Sequence, residues 1–229
     1  MTRYEDSVES MEQLATVWRS MVLDRDAGAD VRDLPGIAVR WADCRFAFWN
    51  CVTLTDLGAD PALLERRLTE AADLMRAKTF PGFLWVFEDL LDADARTGLT
   101  AAAERAGLVH AFPGTGMAGD LLPLPEPAHP DLTFVRVRTD EHLHAYADLN
   151  SRAYGFPLEH GRDGLAGSTC GRRMCTPTWA CGTVSPSPAP RRSSRGPPVR
   201  RTRRHGPRWE RRGYGEAVTR MALYEGGRA

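Results

Sequence analysis

The sequence predicts an α/β protein built from two lobes, and three observations lead to this prediction. Helical and strand-like apolar patterns alternate along the first half of the chain. A proline-rich stretch at 123–130 then interrupts them. Beyond it, a strand pattern followed by a helix pattern begins again. We therefore expect a first lobe over 1–122, a linker over 123–130 and a second lobe over 131–229.

The first lobe opens with a helix and continues into strands. Apolar residues recur at helical spacing over 8–22, which predicts an amphipathic helix. The aromatic and β-branched residues over 37–55 predict strands, and the apolar run at 83–87 predicts a buried strand.

Two further helices have local start or stop signals. Asp60 followed by Pro61 is typical of a helix start, and the following residues supply an apolar face. Thr100 is expected to cap a short helix over 101–106, which Gly107 ends. Two short strands joined by a turn are expected between 108 and 122.

The second lobe begins with an alternating strand over 132–137. Asp140 is expected to cap the helix that follows, and the Tyr154-Gly155-Phe156-Pro157 sequence ends it.

Composition limits the class of protein. Lys and Arg number 30, as do Asp and Glu, so the chain carries no formal net charge. Five cysteines leave one unpaired, and neither a secretory signal nor an apolar run long enough for a membrane span is present. We therefore expect a cytoplasmic protein with no membrane partner.

A glycine-rich segment near the end of the chain carries the main functional signal. It reads Arg-Arg-Gly-Tyr-Gly-Glu-Ala over 211–217, and the apolar spacing over 217–223 predicts a helix directly after it. Glycine allows a sharp turn and a close backbone approach. The free amides at a helix N-terminus attract anions, as do two adjacent arginines. The segment is therefore expected to bind a phosphate or pyrophosphate.

The same segment resembles the acyl-CoA-binding signature of the GCN5-related N-acetyltransferase (GNAT) family. The resemblance implies a mixed, mostly antiparallel sheet flanked by helices and transfer of an acetyl group from acetyl-CoA to a primary amine. It also implies that the cofactor is held by the matching residues, which are Arg211, Arg212, Gly213, Tyr214, Gly215 and Ala217. Glu210 departs from the signature, because its position normally holds Arg or Gln.

The resemblance extends further at a coarser level. The first lobe resembles the degenerate first lobe of tandem members of the family, and the acceptor is expected to be a small-molecule or peptide amine. Family members commonly use a late tyrosine to protonate the leaving thiolate, but Tyr224 comes too early for that role. The second lobe looks truncated, so we assign no catalytic residue and no metal, and an inactive remnant stays an alternative.

The stretch 167–209 has an unusual composition, and its reading stays open. It is rich in Arg, Pro, Ser and Cys, and residues 191–212 hold ten arginines and one acid. One interpretation is an irregular basic segment, which could bind nucleic acid. Another is a shift of reading frame, because neighbouring frames permit two strand-like sequences. A metal site formed by Cys170, Cys175 and Cys181 together with His160 or His205 is disfavoured by the spacing of the cysteines.

Several other residues are candidates for a functional role, but their sequence patterns support it only weakly. Glu88 and Asp89 follow a strand and are expected to be solvated, although they could act as bases. His142 and His144 point to different helix faces. Three tryptophans could line a pocket between the lobes, although aromatic residues at strand spacing are more often core: Trp41, Trp49 and Trp85.

The reading-frame hypothesis makes a direct prediction about the gene. Sequencing the encoding DNA from codon 160 onward is expected to reveal a frame change that restores continuous strands before Arg211. A single open frame matching the protein throughout would reject the hypothesis.

Overall fold

The computed structural model describes residues 3–23, 29–117, 133–166, 180–183 and 217–226. The α-helices in these ranges are Arg3–Leu23 (α1), Pro61–Arg76 (α2), Ala93–Arg105 (α3), Asp140–Tyr154 (α4) and Leu158–Gly161 (α5). The strands are Asp30–Leu34 (β1), Ile37–Trp41 (β2), Asn50–Leu54 (β3), Phe83–Phe87 (β4), Leu108–Met117 (β5), Thr133–Arg136 (β6), Ala180–Thr183 (β7) and Ala217–Gly226 (β8). The linker predicted at 123–130 lies outside the described residues.

Six strands form one sheet in the order β1-β2-β3-β4-β8-β5, and β6 pairs separately with β7. Neighbouring strands are antiparallel except for β3 and β4, which are parallel and are joined by α2. The prediction of a mixed, mostly antiparallel sheet flanked by helices is confirmed. Strand β8 lies between β4 and β5, so a segment assigned to the second lobe pairs within the sheet of the first.

Helix α2 begins where its sequence predicts. The carboxylate of Asp60 accepts a hydrogen bond from the amide of Leu63 at 2.8 Å, and Pro61 occupies the first turn, where no amide is needed. The buried face of the helix consists of Leu64, Leu68, Ala71, Ala72 and Met75. This apolar stripe packs on the sheet and fixes the crossover between the two parallel strands.

The predicted start of α3 is wrong. Asp92, and not Thr100, is the cap, and its carboxylate accepts a hydrogen bond from the amide of Ala95 at 2.7 Å. The helix begins at the earlier cap because the residues between 93 and 100 bury an apolar face against the sheet. The helix is therefore two turns longer than predicted. Gly107 follows the helix with φ of 76°, as expected for its stop signal.

The predicted cap of α4 is displaced by one residue. The hydroxyl of Thr139 accepts a hydrogen bond from the amide of His142 at 3.2 Å, and Asp140 is the first helical residue. The negative charge of Asp140 at this position interacts favourably with the positive end of the helix dipole. Gly155 ends α4 in the left-handed conformation.

The helix predicted at 217–223 is wrong, because these residues form strand β8. The apolar positions suit either structure, since both faces of a central strand are buried. Ala222 and Tyr224 join the core on one side, and Leu223 joins a separate cluster on the other. Pairing with β4 and β5 decides the outcome, because it satisfies the backbone on both edges.

The two faces of the sheet are covered by different helices. Helices α2 and α3 cover the face that carries Val39, Leu84 and Tyr224. Helix α1 packs on the opposite face, where Met11 contacts the cluster around Phe87. The sheet is therefore buried on both sides, which explains the continuous apolar runs in its strands.

Two glycine-to-alanine substitutions should change stability in opposite directions. A Cβ at Gly82 would lie 2.2 Å from the backbone oxygen of Asn50, so Gly82→Ala should lower the free energy of unfolding by about 2 kcal/mol. A Cβ at Gly98, inside α3, meets nothing within 4 Å. Gly98→Ala should therefore raise the free energy of unfolding by about 0.5–1 kcal/mol. Urea unfolding measures the free energy of unfolding of both variants. If the two substitutions change it by the same amount and in the same direction, the packing described at Gly82 is contradicted.

Candidate functional site

The carboxyl ends of the parallel strands β3 and β4 are the first place to look for a ligand. In α/β sheets, ligands commonly bind in the crevice beyond these ends, close to a helix N-terminus. Here the loop 55–60 follows β3 and leads into α2, and a short 3₁₀ helix, Glu88–Leu90, follows β4.

This crevice is closed by backbone hydrogen bonds. The amide of Gly58 donates to the carbonyl of Leu90 at 2.8 Å, and the amide of Asp92 donates to the carbonyl of Ala59 at 3.2 Å. These bonds form a parallel bridge between Ala59 and Leu91. The two loops therefore occupy the space into which a ligand would otherwise extend.

The helix ends beside the crevice are also unsuited to an anion. Asp60 and Asp92 each accept an amide hydrogen bond from their own helix, at the start of α2 and α3. Asp94 adds a further acid in the first turn of α3. Anions bind helix N-termini through free amides and the positive end of the dipole. Here the carboxylates of Asp60 and Asp92 already accept hydrogen bonds from these amides and lie at the positive ends of the dipoles. The crevice of the first sheet is therefore not a pyrophosphate site.

The predicted cofactor loop is not described by the structure, apart from its last residue. Arg211, Arg212, Gly213, Tyr214 and Gly215 lie outside the described residues, and Ala217 is the first residue of β8. The structure therefore does not place the loop, and the helix dipole expected behind it is absent, because a strand follows.

Asp89 is a structural anchor for β8. One carboxylate oxygen accepts a hydrogen bond from the amide of Arg220 at 2.9 Å, and the other lies 3.4 Å from the Arg220 guanidinium. Arg96 adds an ion pair at 3.7 Å. These partners contact both carboxylate oxygens of Asp89 and fix its side chain between β8 and Arg96.

A large cavity lies at the opposite end of the sheet. It has a volume of about 850 Å³ and lies beside the amino end of β4, between the sheet, the last turn of α2 and the 156–160 segment. Its charged lining residues are Arg45, Arg76, Lys78 and Glu225, with His160 beside them. The cavity therefore lies between the sheet and the second-lobe helices and has a mainly cationic lining.

The cations of this cavity are only partly neutralised. Lys78 forms an ion pair with Asp30 at 2.6 Å, and Arg32 holds the same carboxylate at 2.6 Å. Burial alone would raise the pKa of Asp30, but hydrogen bonds and charge interactions with Arg32 and Lys78 outweigh burial and lower it. The guanidinium of Arg45 has no hydrogen bond or ion pair within the described ranges, and only its backbone amide is held, by Asp163.

The three tryptophans considered as core residues or as the lining of a pocket between the lobes have different roles. Trp41 is 1% exposed and lines the 850 Å³ cavity, and its indole N–H has no acceptor among the described residues. A buried donor without a partner costs about 1–3 kcal/mol. Trp49 donates to the carbonyl of Gly164 at 3.0 Å. Trp85 packs against Trp18 beside a smaller groove of about 270 Å³.

An aromatic cluster holds the second-lobe helices against the sheet. The Phe48 ring lies 4.9 Å from the Tyr154 ring and 5.7 Å from the Phe156 ring, and Phe46 also contacts Phe156 at 5.7 Å. A Cβ at Gly164 would lie 2.2 Å from the Cβ of Phe46. This close packing fixes one wall of the cavity. The sequence around 46–49 did not predict these contacts, because their partners lie more than 100 residues away in the chain.

Other candidate residues are placed without a catalytic arrangement. Tyr224 is 2% exposed, and burial raises its pKa, so it stays protonated inside the core. His110 is exposed on the edge strand β5, with its ring 5.5 Å from that of Tyr224. Burial raises the pKa of the Cys51 thiol to about 12, which makes it a poor nucleophile.

Metal and membrane features were also sought in the described ranges. No group of three or more His, Cys, Asp or Glu side chains there could hold a metal ion. Cys170 and Cys175 fall outside those ranges. None of the described helices is long and apolar enough to cross a membrane.

The chain matches no protein-family model, no curated protein and no solved structure.

The ion pair beneath the cavity should make stability depend on pH. Because the pKa of Asp30 is lowered in the folded protein, its contribution is present above the ordinary value of 3.8 and is lost as pH falls through the lower, folded value. Asp30→Asn should therefore lower the free energy of unfolding at pH 7 by about 2 kcal/mol, and the difference should shrink below pH 4.

Urea unfolding at several pH values measures this dependence. Asp94→Asn, on the exposed first turn of α3, is the matched control and should change stability by less than about 0.5 kcal/mol. A constant effect of Asp30→Asn down to pH 2 would contradict the ion pair.

Proposed function

We propose that the chain is an acetyl-CoA-dependent N-acetyltransferase, with the 211–215 loop as the cofactor site and a first sheet that serves as a scaffold. The observation that carries the proposal is the sheet. It is mixed and mostly antiparallel and is flanked by helices, as the resemblance of the loop implies.

The closed crevice supports assigning a scaffold role to the first lobe. A lobe that has kept the fold but filled its crevice with hydrogen-bonded loops and aspartate caps is a degenerate copy of a binding lobe. The cofactor would then depend on the arginines and glycines at 211–215, whose backbone amides and guanidinium groups suit a pyrophosphate.

The reaction would be a direct transfer. The acceptor amine attacks the thioester carbon of acetyl-CoA, the carbon–sulfur bond breaks, and the thiolate leaves as CoA. The attacking nitrogen loses one proton, and the thiolate takes up one.

A second candidate is an inactive remnant of the same family. The observation that favours it is β8, because a strand in place of a helix after the loop removes the dipole that stabilises a bound pyrophosphate. The two candidates differ in one measurable property, which is binding of acetyl-CoA.

Thermal unfolding with acetyl-CoA distinguishes them. At a concentration one hundred times the dissociation constant, a bound ligand should stabilise the chain by about 2.7 kcal/mol. Gly213→Val with Gly215→Val should remove this stabilisation, because Cβ atoms would block the close approach of the backbone to the cofactor. Gly98→Ala, inside α3, should retain it.

A companion assay measures release of free CoA thiol with a panel of amines. Stabilisation together with amine-dependent thiol release supports the enzyme. Absence of both would reject the enzyme and favour the remnant. Retention on nucleic acid that is lost as salt rises would instead favour the arginine-rich stretch as the functional part.

A further inference from the structure

We propose that the 850 Å³ cavity at the amino end of β4 binds a small phosphomonoester with an aromatic body. This inference does not depend on the acetyltransferase proposal, because it rests on different residues. Its support comes from the donors, charges and walls of the cavity.

Several side chains of the lining can only donate hydrogen bonds. The side chains of Arg45, Arg76, Lys78 and Trp41 can only donate. The only carboxylate of the lining that the structure describes is Glu225, which is exposed. A ligand that satisfies this set must supply several acceptor atoms, as the three free oxygens of a phosphate group do.

The charge near the cavity also favours an anion. Asp30 is shared by Arg32 and Lys78, so this group of three keeps one positive charge in excess. Arg45 adds another positive charge. Arg76 is paired with Asp73, and Glu225 is an opposing charge on the lining. Two more carboxylates lie close by, since Asp43 and Asp163 accept hydrogen bonds from the backbone amides of Phe80 and Arg45. The attraction for an anion therefore comes from the local positions of Arg45 and Lys78 and not from an overall positive charge.

Trp41 and Lys78 lie side by side on the cavity. The indole nitrogen of Trp41 has no acceptor in the described part of the chain, but it is itself inaccessible to solvent, as is that of Trp85. Lys78 lies 6.0 Å from the centroid of the Trp41 ring, and its side chain is 17% exposed. A ligand in the cavity can therefore reach the ammonium group of Lys78 directly.

The rim of the cavity is held in place before any ligand binds. The side-chain amide of Asn50, which is fully buried, donates to the carbonyls of Cys44 and Pro81 at 2.7 Å each. The amide of Phe80 donates to the carboxylate of Asp43 at 3.2 Å. A fixed rim lowers the ordering cost of binding.

The walls favour an organic ligand over inorganic phosphate. Apolar side chains from four segments line the cavity, including Met75, Phe80, Val109 and Phe156. The volume lies within the range typical of sites for small organic ligands. An aromatic body can pack on these walls while its phosphate meets the cations.

The sole lysine of the sequence provides a sharp test. Pyridoxal 5′-phosphate carries an aromatic ring, a phosphate and an aldehyde. Its aldehyde forms an imine with the amine of Lys78 and releases water, and borohydride then reduces the imine to a stable secondary amine. Pyridoxal, which lacks the phosphate, is the matched reagent. Peptide mapping separates Lys78 from the chain's α-amine, and labelling of Lys78 is expressed relative to that amine.

The phosphate should raise the relative labelling of Lys78 by about tenfold, since one charge-assisted hydrogen bond has about that effect. Arg45→Ala should remove the advantage, and Arg66→Ala, an exposed arginine of α2, should retain it. Equal labelling by both reagents would overturn the proposal.

Competition identifies the ligand class. AMP should protect Lys78 at lower concentration than inorganic phosphate, and adenosine should not protect it. Equal protection by phosphate and AMP would overturn the assignment of an organic phosphomonoester.

A final comparison separates this site from the proposed function. Isothermal titration of AMP should lose about tenfold in affinity in Arg45→Ala, while any thermal stabilisation by acetyl-CoA stays unchanged. Loss of both in Arg45→Ala would overturn a separate phosphomonoester site and would place acetyl-CoA in this cavity. Failure of acetyl-CoA alone would reject only the acetyltransferase.

Discussion

The pairing of β8 on both of its edges is the interaction on which the rest of the structure depends. It hydrogen-bonds to β4 on one side and to β5 on the other, and among the described strands it is the only link between β5 and the sheet. Its side chains also complete both cores, since Tyr224 packs beneath α2 and α3 and Leu223 packs on the other face. Without β8, both partner strands would expose unpaired backbone groups.

The two ends of the parallel strand pair have opposite chemistry. At the carboxyl end, where α/β proteins commonly bind ligands, loops are joined by hydrogen bonds and aspartates cap both helices. At the amino end, cations surround an open cavity beside a buried indole. Cationic side chains and an open cavity therefore coincide at the amino end. The reason is local, because caps that stabilise α2 and α3 use the amides that an anion would need.

Strong local signals predicted the elements correctly, and weak ones did not. Helix α2 has a cap, a proline at its first turn and a clear apolar face, and it begins at the predicted residue. Helix α3 has two plausible caps, and burial of its first turns selected Asp92 over Thr100. The cavity had almost no signal in the sequence, because its lining comes from segments far apart in the chain, such as Arg45, Lys78 and His160. The possible pocket role of Trp41 was the only part that sequence reasoning identified.

The sequence by itself determined the class of the fold, the start of α2, the buried strand at 83–87 and the resemblance carried by the 211–217 segment. These features depend on helix caps, on the pattern of apolar and polar residues, and on residue types within a few neighbouring positions. Only the tertiary structure decided that 217–226 is a strand, that the expected crevice is closed and that the cations meet at the other end of the sheet. The physical reason is that an apolar segment takes the conformation in which its partners bury it and satisfy its backbone, and those partners are distant in sequence.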